Sequence, residues 1–109
     1  MNKKILVVTG GAGFVGANLI SLLLKKTNYK IISIDNYSSG LKKNHVKNSR
    51  VKYIKADTKE IFKILKNSKK INSIFHFGEF SRIYQSFLKM NDCINSNTIG
   101  TNAVFNYCL

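Results

Sequence analysis

This sequence has no long hydrophobic run and very few cysteines. Its longest apolar stretches, Ile5–Val8 and Leu22–Leu24, fall far short of the roughly 18 residues that a membrane-spanning helix needs. Glycine at Gly10 breaks the apolar run that follows the basic start, so we expect no secretory signal peptide. Two cysteines, Cys93 and Cys108, cannot form a disulfide framework, which predicts reduced thiols in a cytoplasmic protein.

Acidic residues are also scarce. Five Asp and Glu stand against eighteen Lys and Arg, which gives a formal net charge of +13, and such an excess is typical of nucleic-acid-binding proteins. However, only two of the eighteen cations are Arg, and the bias toward Lys, Asn and Ile without any Pro is what an AT-rich coding sequence produces. A site that binds phosphates or bases is expected to use more Arg. We therefore favour a protein that does not bind nucleic acid.

No internal repeat, low-complexity stretch or linker interrupts the 109 residues, so we expect one domain. Short apolar runs predict strands over residues 4–9, 30–35, 51–55 and 72–76. Apolar residues at helical spacing predict helices over residues 14–26, 58–67, 81–88 and from Asn91 or Asp92 onward. This alternation is typical of βαβ units and predicts a doubly wound parallel α/β sheet.

Two of the predicted helices have distinctive faces. In the helix over residues 58–67, the core is expected to receive Ile61, Phe62 and Leu65. The opposite face is interpreted as a solvated lysine stripe rather than a ligand site; it contains Lys59, Lys63, Lys66 and Lys70.

In the last helix, one stripe is expected to contain Ile94, Thr98, Thr101, Phe105 and Cys108. Because that stripe reaches Leu109 without a glycine cap or polar tail, we expect the domain to continue further.

A glycine-rich motif follows the first predicted strand and opens the first predicted helix. Residues 9–16 read T-G-G-A-G-F-V-G, or T-G-x-x-G-x-x-G. Gly10 allows a tight turn, Gly13 lets backbone approach a pyrophosphate, and Gly16 lets the helix pack close to the strand. Free N–H groups and the dipole at the helix N-terminus favour phosphates there. The motif therefore predicts a dinucleotide-binding site.

An acidic residue ends the second predicted strand. Asp35 lies nineteen residues after Gly16, close to the spacing of about twenty that is typical of dinucleotide-binding units. Its carboxylate is expected to accept hydrogen bonds from both adenosine-ribose hydroxyls and to repel a 2′-phosphate, which favours NAD over NADP. The alternative is a turn followed by a loop-capping aspartate, and we favour the cofactor site.

Three of the five acids follow predicted strands, namely Asp35, Asp57 and Glu79. Ligands of open α/β sheets bind at the carboxyl ends of the strands, so the scarce negative charge is concentrated at the expected ligand edge. Asp57 also fits a helix N-cap, with Glu60 completing a capping box. Capping and contact with an adenine are compatible, and both remain open for Asp57.

These motifs resemble the extended short-chain dehydrogenase/reductase family, and within it the NAD-dependent nucleotide-sugar epimerases and dehydratases, UDP-glucose 4-epimerases in particular. The glycine spacing is similar to that of the extended branch. Further similar stretches are residues 35–40 (D-N-Y-S-S-G), 54–57 (I-K-A-D), 74–77 (I-F-H-F) and 97–101 (N-T-I-G-T). The resemblance implies that residues 1–109 form a Rossmann-type NAD-binding domain, truncated after about four strands, whose substrate domain is absent.

The resemblance also implies a set of cofactor contacts. Around the glycines at positions 10, 13 and 16, the pyrophosphate would lie against Phe14 and Val15. The adenosine ribose would contact Asp35, Asn36, Ser38, Ser39 and Gly40. Adenine would lie by Asp57 and Thr58, the inner half of the cofactor by Phe77, Gly78 and Glu79, and the nicotinamide near Asn97.

Three positions depart from the family or attract a second interpretation. The family usually has two small residues where this chain has Gly78-Glu79, and an apolar residue where it has Thr58. His76 is interpreted as a structural histidine at a strand end rather than a catalytic residue. His45 is given no special role.

The reaction of the resembled family is a reversible hydride transfer between NAD and a sugar carbon. A Y-x-x-x-K pair handles the proton there, with the tyrosine as general base and the lysine lowering its pKa. None of the five tyrosines of this chain has a lysine four residues later. We therefore expect no catalytic residue and no metal ligand here, and a chain that is inactive alone.

The favoured hypothesis is thus the cofactor-binding part of a longer cytoplasmic enzyme, a homodimer that acts on a nucleotide sugar. One alternative is a non-catalytic dinucleotide-binding module of the same fold. A less favoured alternative is a basic nucleic-acid-binding protein, which would bind DNA with a strong salt dependence and would not bind NAD.

Overall fold

Four parallel strands form the sheet of this protein. The computed structural model describes residues 4–66, 68–78 and 90–109. The strands lie side by side in the order β3-β2-β1-β4; they are β1 (Ile5–Thr9), β2 (Lys30–Asp35), β3 (Val51–Lys55) and β4 (Ile71–His76). Every adjacent pair is parallel, so the predicted parallel α/β sheet is confirmed.

Helices cover both faces of the sheet, and this explains why its central strand is continuously apolar. Side chains alternate along β1, so Val7 packs on one face while Leu6 and Val8 pack on the other. The helix α1 (Phe14–Lys26) supplies the buried Ile20 to the second of these faces. The helical segments after β3 and β4 cover the first face, and their fully or nearly buried residues are Ile61, Leu65 and Val104.

One of the eighteen cations has a structural role. Arg50, directly before β3, donates hydrogen bonds from its guanidinium to the carbonyl oxygens of Leu24 (2.7 Å), Thr27 (2.8 Å) and Tyr29 (3.1 Å). These carbonyls lie at the end of α1 and in the turn that follows it, where a positive charge is favourable. Arg50 therefore anchors the helix terminus at the edge of the sheet opposite the glycine-rich loop.

The helix predicted over residues 58–67 is shorter than expected. A 3₁₀ turn (Thr58–Glu60) leads into a single α-helical turn, α2 (Ile61–Ile64), and the chain leaves helical geometry at Leu65 (φ −108°, ψ 80°) so that this side chain can enter the core. Ile61 and Leu65 are buried as predicted, but Phe62 is 57% exposed and meets the ring of Tyr107 edge-on. Phe62 was therefore wrongly assigned to the core.

The predicted lysine stripe is also only partly correct. Lys59, Lys63 and Lys66 are exposed, as a solvated face requires. Lys70, however, belongs to a separate 3₁₀ turn (Ser68–Lys70) that feeds directly into β4, so it does not continue the face of α2.

The last helical segment differs from prediction in its orientation. It comprises α3 (Met90–Ile94), a π-helical stretch (Asn95–Gly100) and α4 (Thr101–Cys108). A π-helix has a wider turn than an α-helix, so it shifts the face that the following residues present. Four of the five residues in the predicted stripe are exposed, namely Ile94, Thr98, Phe105 and Cys108, whereas Gly100 and Val104 are buried. The helix predicted over residues 81–88 lies outside the described residues.

Candidate functional site

A cleft of about 470 Å³ opens at the carboxyl edge of the sheet. This is the edge at which open α/β sheets bind their ligands. The cleft is bounded by the segments that follow all four strands, and its lining residues are Gly10, Gly13, Phe14, Val15, Ile34, Asp35, Asn36, Ser38, Ser39, Gly40, Ala56, Asp57, Thr58, Lys59, His76, Phe77 and Gly78.

The cleft brings together most of the residues that the sequence singles out. Gly16 is buried behind the glycine-rich loop rather than on the cleft wall. Asn97 lies in the π-helical stretch and does not line the cleft, and Glu79 lies outside the described residues. Lys59 also lines the cleft, which its sequence position does not indicate, because its spacing fits the exposed lysine stripe.

Two glycines of the loop after β1 are required by the atoms around them. Gly10 has a φ of +74°, and a Cβ there would lie 2.7 Å from the carbonyl oxygen of Phe77, so both the turn and the close approach of the segment after β4 require glycine. At Gly16 a Cβ would lie 2.2 Å from the carbonyl oxygen of Gly10. These observations agree with the tight turn and the close helix packing that the motif predicts.

Gly13 differs because nothing among the described residues requires a glycine there. Its backbone is extended (φ −81°, ψ 174°), a conformation open to any residue, and a Cβ there would make only an ordinary 3.4 Å contact with Gly10 O. Gly13 is the N-cap of α1 without a side-chain cap, and the exposed Phe14 and Val15 follow it. The first N–H groups of the helix thus face an open cradle, which fits an anionic group such as a pyrophosphate.

Asp35 is held firmly at the end of β2. Its Oδ2 accepts a hydrogen bond from Ala12 N (3.0 Å) and its Oδ1 accepts one from Tyr37 N (2.8 Å). Gly40 packs against the same carboxylate, because a Cβ at Gly40 would lie 2.7 Å from Oδ2. A carboxylate offers about four lone pairs, so about two remain for hydroxyl groups in the cleft. This arrangement fits a ribose.

The loop after β2 is tied to the glycine-rich loop by contacts that the sequence does not signal. Leu41 N (3.0 Å) and Asn44 Nδ2 (2.8 Å) both donate to the carbonyl oxygen of Ala12. Because the N–H of Ala12 already donates to Asp35, both polar groups of this fully buried residue are satisfied. The two loops therefore form one connected wall of the cleft.

Asp57 serves as a helix cap and also lines the cleft. It forms the predicted capping box with Glu60, whose Oε1 accepts from Asp57 N at 3.4 Å. Its Oδ1 accepts a hydrogen bond from Asn36 Nδ2 (2.8 Å), and Asn36 Oδ1 in turn accepts from Ser38 N (2.9 Å). The capping role is confirmed, and the adenine contact stays a prediction that this geometry permits.

A buried threonine connects three elements at the back of the cleft. Thr9 Oγ1 accepts hydrogen bonds from Phe77 N and Gly78 N, both at 2.9 Å, and lies 2.6 Å from His76 Nδ1. The other ring nitrogen of His76, Nε2, lies 3.0 Å from Thr101 Oγ1. These bonds support the structural interpretation of His76.

Replacing Thr9 by valine is expected to lower the free energy of unfolding by about 2–3 kcal/mol, because the N–H of Gly78 and the Nδ1 of His76 each lose a buried partner. Thr9→Ser keeps the hydroxyl and should lose only about 1 kcal/mol with the methyl group. Urea unfolding followed by circular dichroism measures both variants. Equal stability of the two would show that the hydroxyl has no structural importance.

Within the described ranges, no helix combines the length and the apolar character that crossing a membrane requires. The same residues contain no group of three His, Cys, Asp or Glu side chains placed to hold a metal ion.

Comparison with known proteins identifies the family. The family model described as the NAD dependent epimerase/dehydratase family matches residues 6–109. Human dTDP-D-glucose 4,6-dehydratase is 31% identical over 108 residues, an alignment that covers 93% of this chain and 31% of that protein.

Solved structures agree with the family match. An epimerase from Methanothermobacter thermautotrophicus superimposes with a TM-score of 0.85 at 26% identity, covering 98% of this chain and 32% of that one. The UDP-N-acetylglucosamine 4-epimerase of Methanobrevibacter ruminantium gives a TM-score of 0.81 at 29% identity, covering 99% of this chain and 34% of that one.

The chain spans about a third of the length of the relatives that it matches. Its own length is matched almost completely by the family model. NAD is the cofactor of that family, and the glycine-rich loop and Asp35 stand where the motif predicts. The chain therefore belongs to the NAD-dependent epimerase/dehydratase family.

Proposed function

We propose that this chain is the NAD-binding part of an enzyme that epimerises or dehydrates a nucleotide sugar. The observation that carries the proposal is the pairing of an open cradle at Gly13 with a fixed carboxylate at Asp35, on two walls of one cleft. A dinucleotide needs both features, since one suits its pyrophosphate and the other its adenosine ribose.

The assignment of the cofactor to the cleft follows its lining. We assign the pyrophosphate to Gly13–Val15 and the adenosine ribose to Asp35, Asn36 and the turn at residues 38–40. Adenine is assigned to the end formed by Asp57 and Thr58, and the inner half of the cofactor to Phe77 and Gly78. The negative charge of Asp35 disfavours a 2′-phosphate and supports NAD rather than NADP.

NAD, when bound, supplies a hydride acceptor for a sugar carbon. What this chain contributes is binding and orientation, because none of its tyrosines begins a Y-x-x-x-K pair. We propose that the catalytic pair and the sugar contacts belong to parts of the enzyme outside these 109 residues. The relatives named above act on dTDP- and UDP-linked sugars, which supports a nucleotide sugar as substrate, and the resemblance supports a cytoplasmic homodimer.

A second candidate function is a non-catalytic module that binds a dinucleotide as a signal. The absence of a Y-x-x-x-K pair from these residues favours it. Both functions share the cofactor site, so activity toward a nucleotide sugar distinguishes them. NAD-dependent conversion of a UDP-sugar by the 109-residue chain itself would contradict our assignment of the chain to cofactor binding alone.

Calorimetric titration of the purified chain tests the proposal. We expect one NAD to bind per chain, NADP to bind at least about tenfold more weakly because of Asp35, and ADP-ribose to compete with NAD. A DNA duplex serves as the control for the basic charge. Absence of saturable NAD binding together with a salt-dependent DNA affinity would overturn the proposal.

A further inference from the structure

Three rings link the loop after β2 to the neighbouring strand β3. The ring of His45 stacks on that of Tyr53, with centroids 3.7 Å apart and planes 8° from parallel. The hydroxyl of Tyr37 lies 2.6 Å from His45 Nε2, and the hydroxyl of Tyr53 accepts a hydrogen bond from Val46 N (2.7 Å). His45 is therefore an anchored residue, although no sequence motif singles it out. We call these three residues the ring cluster.

The backbone at one end of the ring cluster is strained. Tyr37 has a φ of +62° and is the one non-glycine residue of the described chain with a positive φ. Holding a non-glycine residue in this region costs about 1–2 kcal/mol, so surrounding contacts must stabilise it. In this conformation the Tyr37 N–H donates to Asp35 Oδ1 at 2.8 Å.

We propose that the ring cluster positions Asp35 for the adenosine ribose. The cluster holds Tyr37 in its left-handed conformation, and that conformation directs the Tyr37 N–H at Oδ1. Asp35 then has a fixed orientation in which its remaining lone pairs are available to the ribose hydroxyls. The inference rests on the proposed function, because it takes the ligand of Asp35 to be a ribose.

The hydrogen bond between Tyr37 and His45 joins the Tyr37 hydroxyl to His45 Nε2. Burial raises the pKa of Tyr37, with further contributions from the charge of Asp35 and from Tyr53, so the hydroxyl keeps its proton at neutral pH. Each of the variants Tyr37→Phe and His45→Phe removes one of the two polar atoms of this bond and keeps a ring in place.

The two supports of Asp35 are separate, which makes the effect selective. Ala12 N holds Oδ2 from the glycine-rich loop, whereas Tyr37 N holds Oδ1 from the side of the ring cluster. Loss of the ring cluster should release only the second support. The carboxylate can then turn about its remaining hydrogen bond, which weakens contacts to ribose hydroxyls but leaves the phosphate cradle at Gly13 unchanged.

The test compares NAD with an analogue that lacks the 2′-hydroxyl of the adenosine ribose. In the unaltered chain we expect NAD to bind about tenfold more tightly than the analogue, since one hydrogen bond to a carboxylate is lost. In Tyr37→Phe and in His45→Phe this preference should fall below about threefold, with the affinity for the analogue changed less than about twofold. The double variant should show no further loss of this preference, because both single changes break the same hydrogen bond between Tyr37 and His45.

Tyr107→Phe is the matched control. Its hydroxyl is buried, has no hydrogen-bond partner in the part of the chain that the structure describes, and lies on the face opposite the ring cluster, so its removal should leave the preference for NAD unchanged. An unchanged preference in Tyr37→Phe and His45→Phe would overturn the inference. An equal loss of affinity for both ligands, in step with a lower melting temperature, would also overturn it, because that result describes general destabilisation.

Amide hydrogen exchange separates this inference from the proposed function. Without any ligand, the N–H of Tyr37 should exchange at least about tenfold faster in both ring variants than in the unaltered chain, because its hydrogen bond to Asp35 opens. If that occurs while the unaltered chain fails to bind NAD, the positioning of Asp35 stands and the ligand assignment fails. If NAD binds and the exchange rate does not change, the positioning role fails.

Discussion

Gly16→Ala is expected to destabilise the fold by at least about 3 kcal/mol, a large share of the stability of a domain this size. The new Cβ would lie 2.2 Å from the carbonyl oxygen of Gly10 and 2.9 Å from the Cα of Gly11. Both atoms belong to backbone, so no flexible side chain can move aside. Helix α1 would have to separate from the loop and lose part of the packing of Ile20 against β1.

Thermal unfolding measures this loss directly and needs no cofactor. A change of about 3 kcal/mol corresponds to a melting temperature lowered by about 12–24 °C in a domain of this size. A variant that melts within about 3 °C of the unaltered chain would show that the loop and helix can adjust, and that the contact with Gly10 is not a constraint.

Gly13→Ala is the matched comparison, three residues away on the same loop. Alanine is a poorer N-cap residue than glycine, which should lower the free energy of unfolding by less than about 1 kcal/mol. Alanine also makes the unfolded chain less flexible, which should raise the free energy of unfolding by a similar amount. Stability should therefore change little. NAD affinity should fall at least about tenfold, because the methyl group occupies the cradle proposed for the pyrophosphate. Undiminished NAD binding by Gly13→Ala would place the phosphates elsewhere.

The glycine-rich loop shows which features could be predicted from the sequence and which could not. The spacing T-G-x-x-G-x-x-G, its place between a strand and a helix, and Asp35 after the next strand are local features, and they correctly predicted β1, α1, β2 and the cleft edge. The motif also predicted the tight turn at Gly10 and the close helix packing at Gly16. It could not show which atoms crowd Gly10, because Phe77 lies sixty-seven residues beyond it in sequence.

Errors arose where packing overrides periodicity. Phe62 fits an apolar helical face, yet α2 lasts for one turn and leaves this ring at the edge of the core against Tyr107. In the last helical segment, the π-helical stretch shifts the buried face to Gly100 and Val104. A hydrophobic pattern assumes a constant 3.6-residue period, so a wider turn is invisible to it.

Polar contacts between segments that are far apart in sequence could not be predicted either. Thr9 and His76 meet because β1 and β4 are neighbours in the sheet, and Arg50 reaches the end of α1 because β3 lies at the far edge. In the composition Arg50 is one of eighteen cations. In the structure it anchors the end of α1, whereas Lys59, Lys63 and Lys66 are exposed to solvent.

Asp35→Asn is expected to produce the largest change in ligand preference. An amide oxygen can still accept one backbone hydrogen bond, but its NH₂ group faces either Ala12 N or Tyr37 N, which leaves one donor unpaired. We expect a loss of about 1–3 kcal/mol in stability and an NAD affinity lowered by about 10- to 100-fold. NADP should lose less, since the repulsion between the carboxylate and a 2′-phosphate disappears.

Asp57→Asn separates this effect from the general loss of a negative charge in the cleft. Its side-chain oxygen can still accept from Asn36 Nδ2, and asparagine is about as good a cap residue as aspartate, so the ratio of NAD to NADP affinity should change less than about threefold. In Asp35→Asn the same ratio should fall at least about tenfold. If both variants shift the ratio equally, the selectivity arises from the summed charge of the cleft. A shift confined to Asp35→Asn means that recognition depends on one oriented carboxylate, which is why its two backbone hydrogen bonds matter to function.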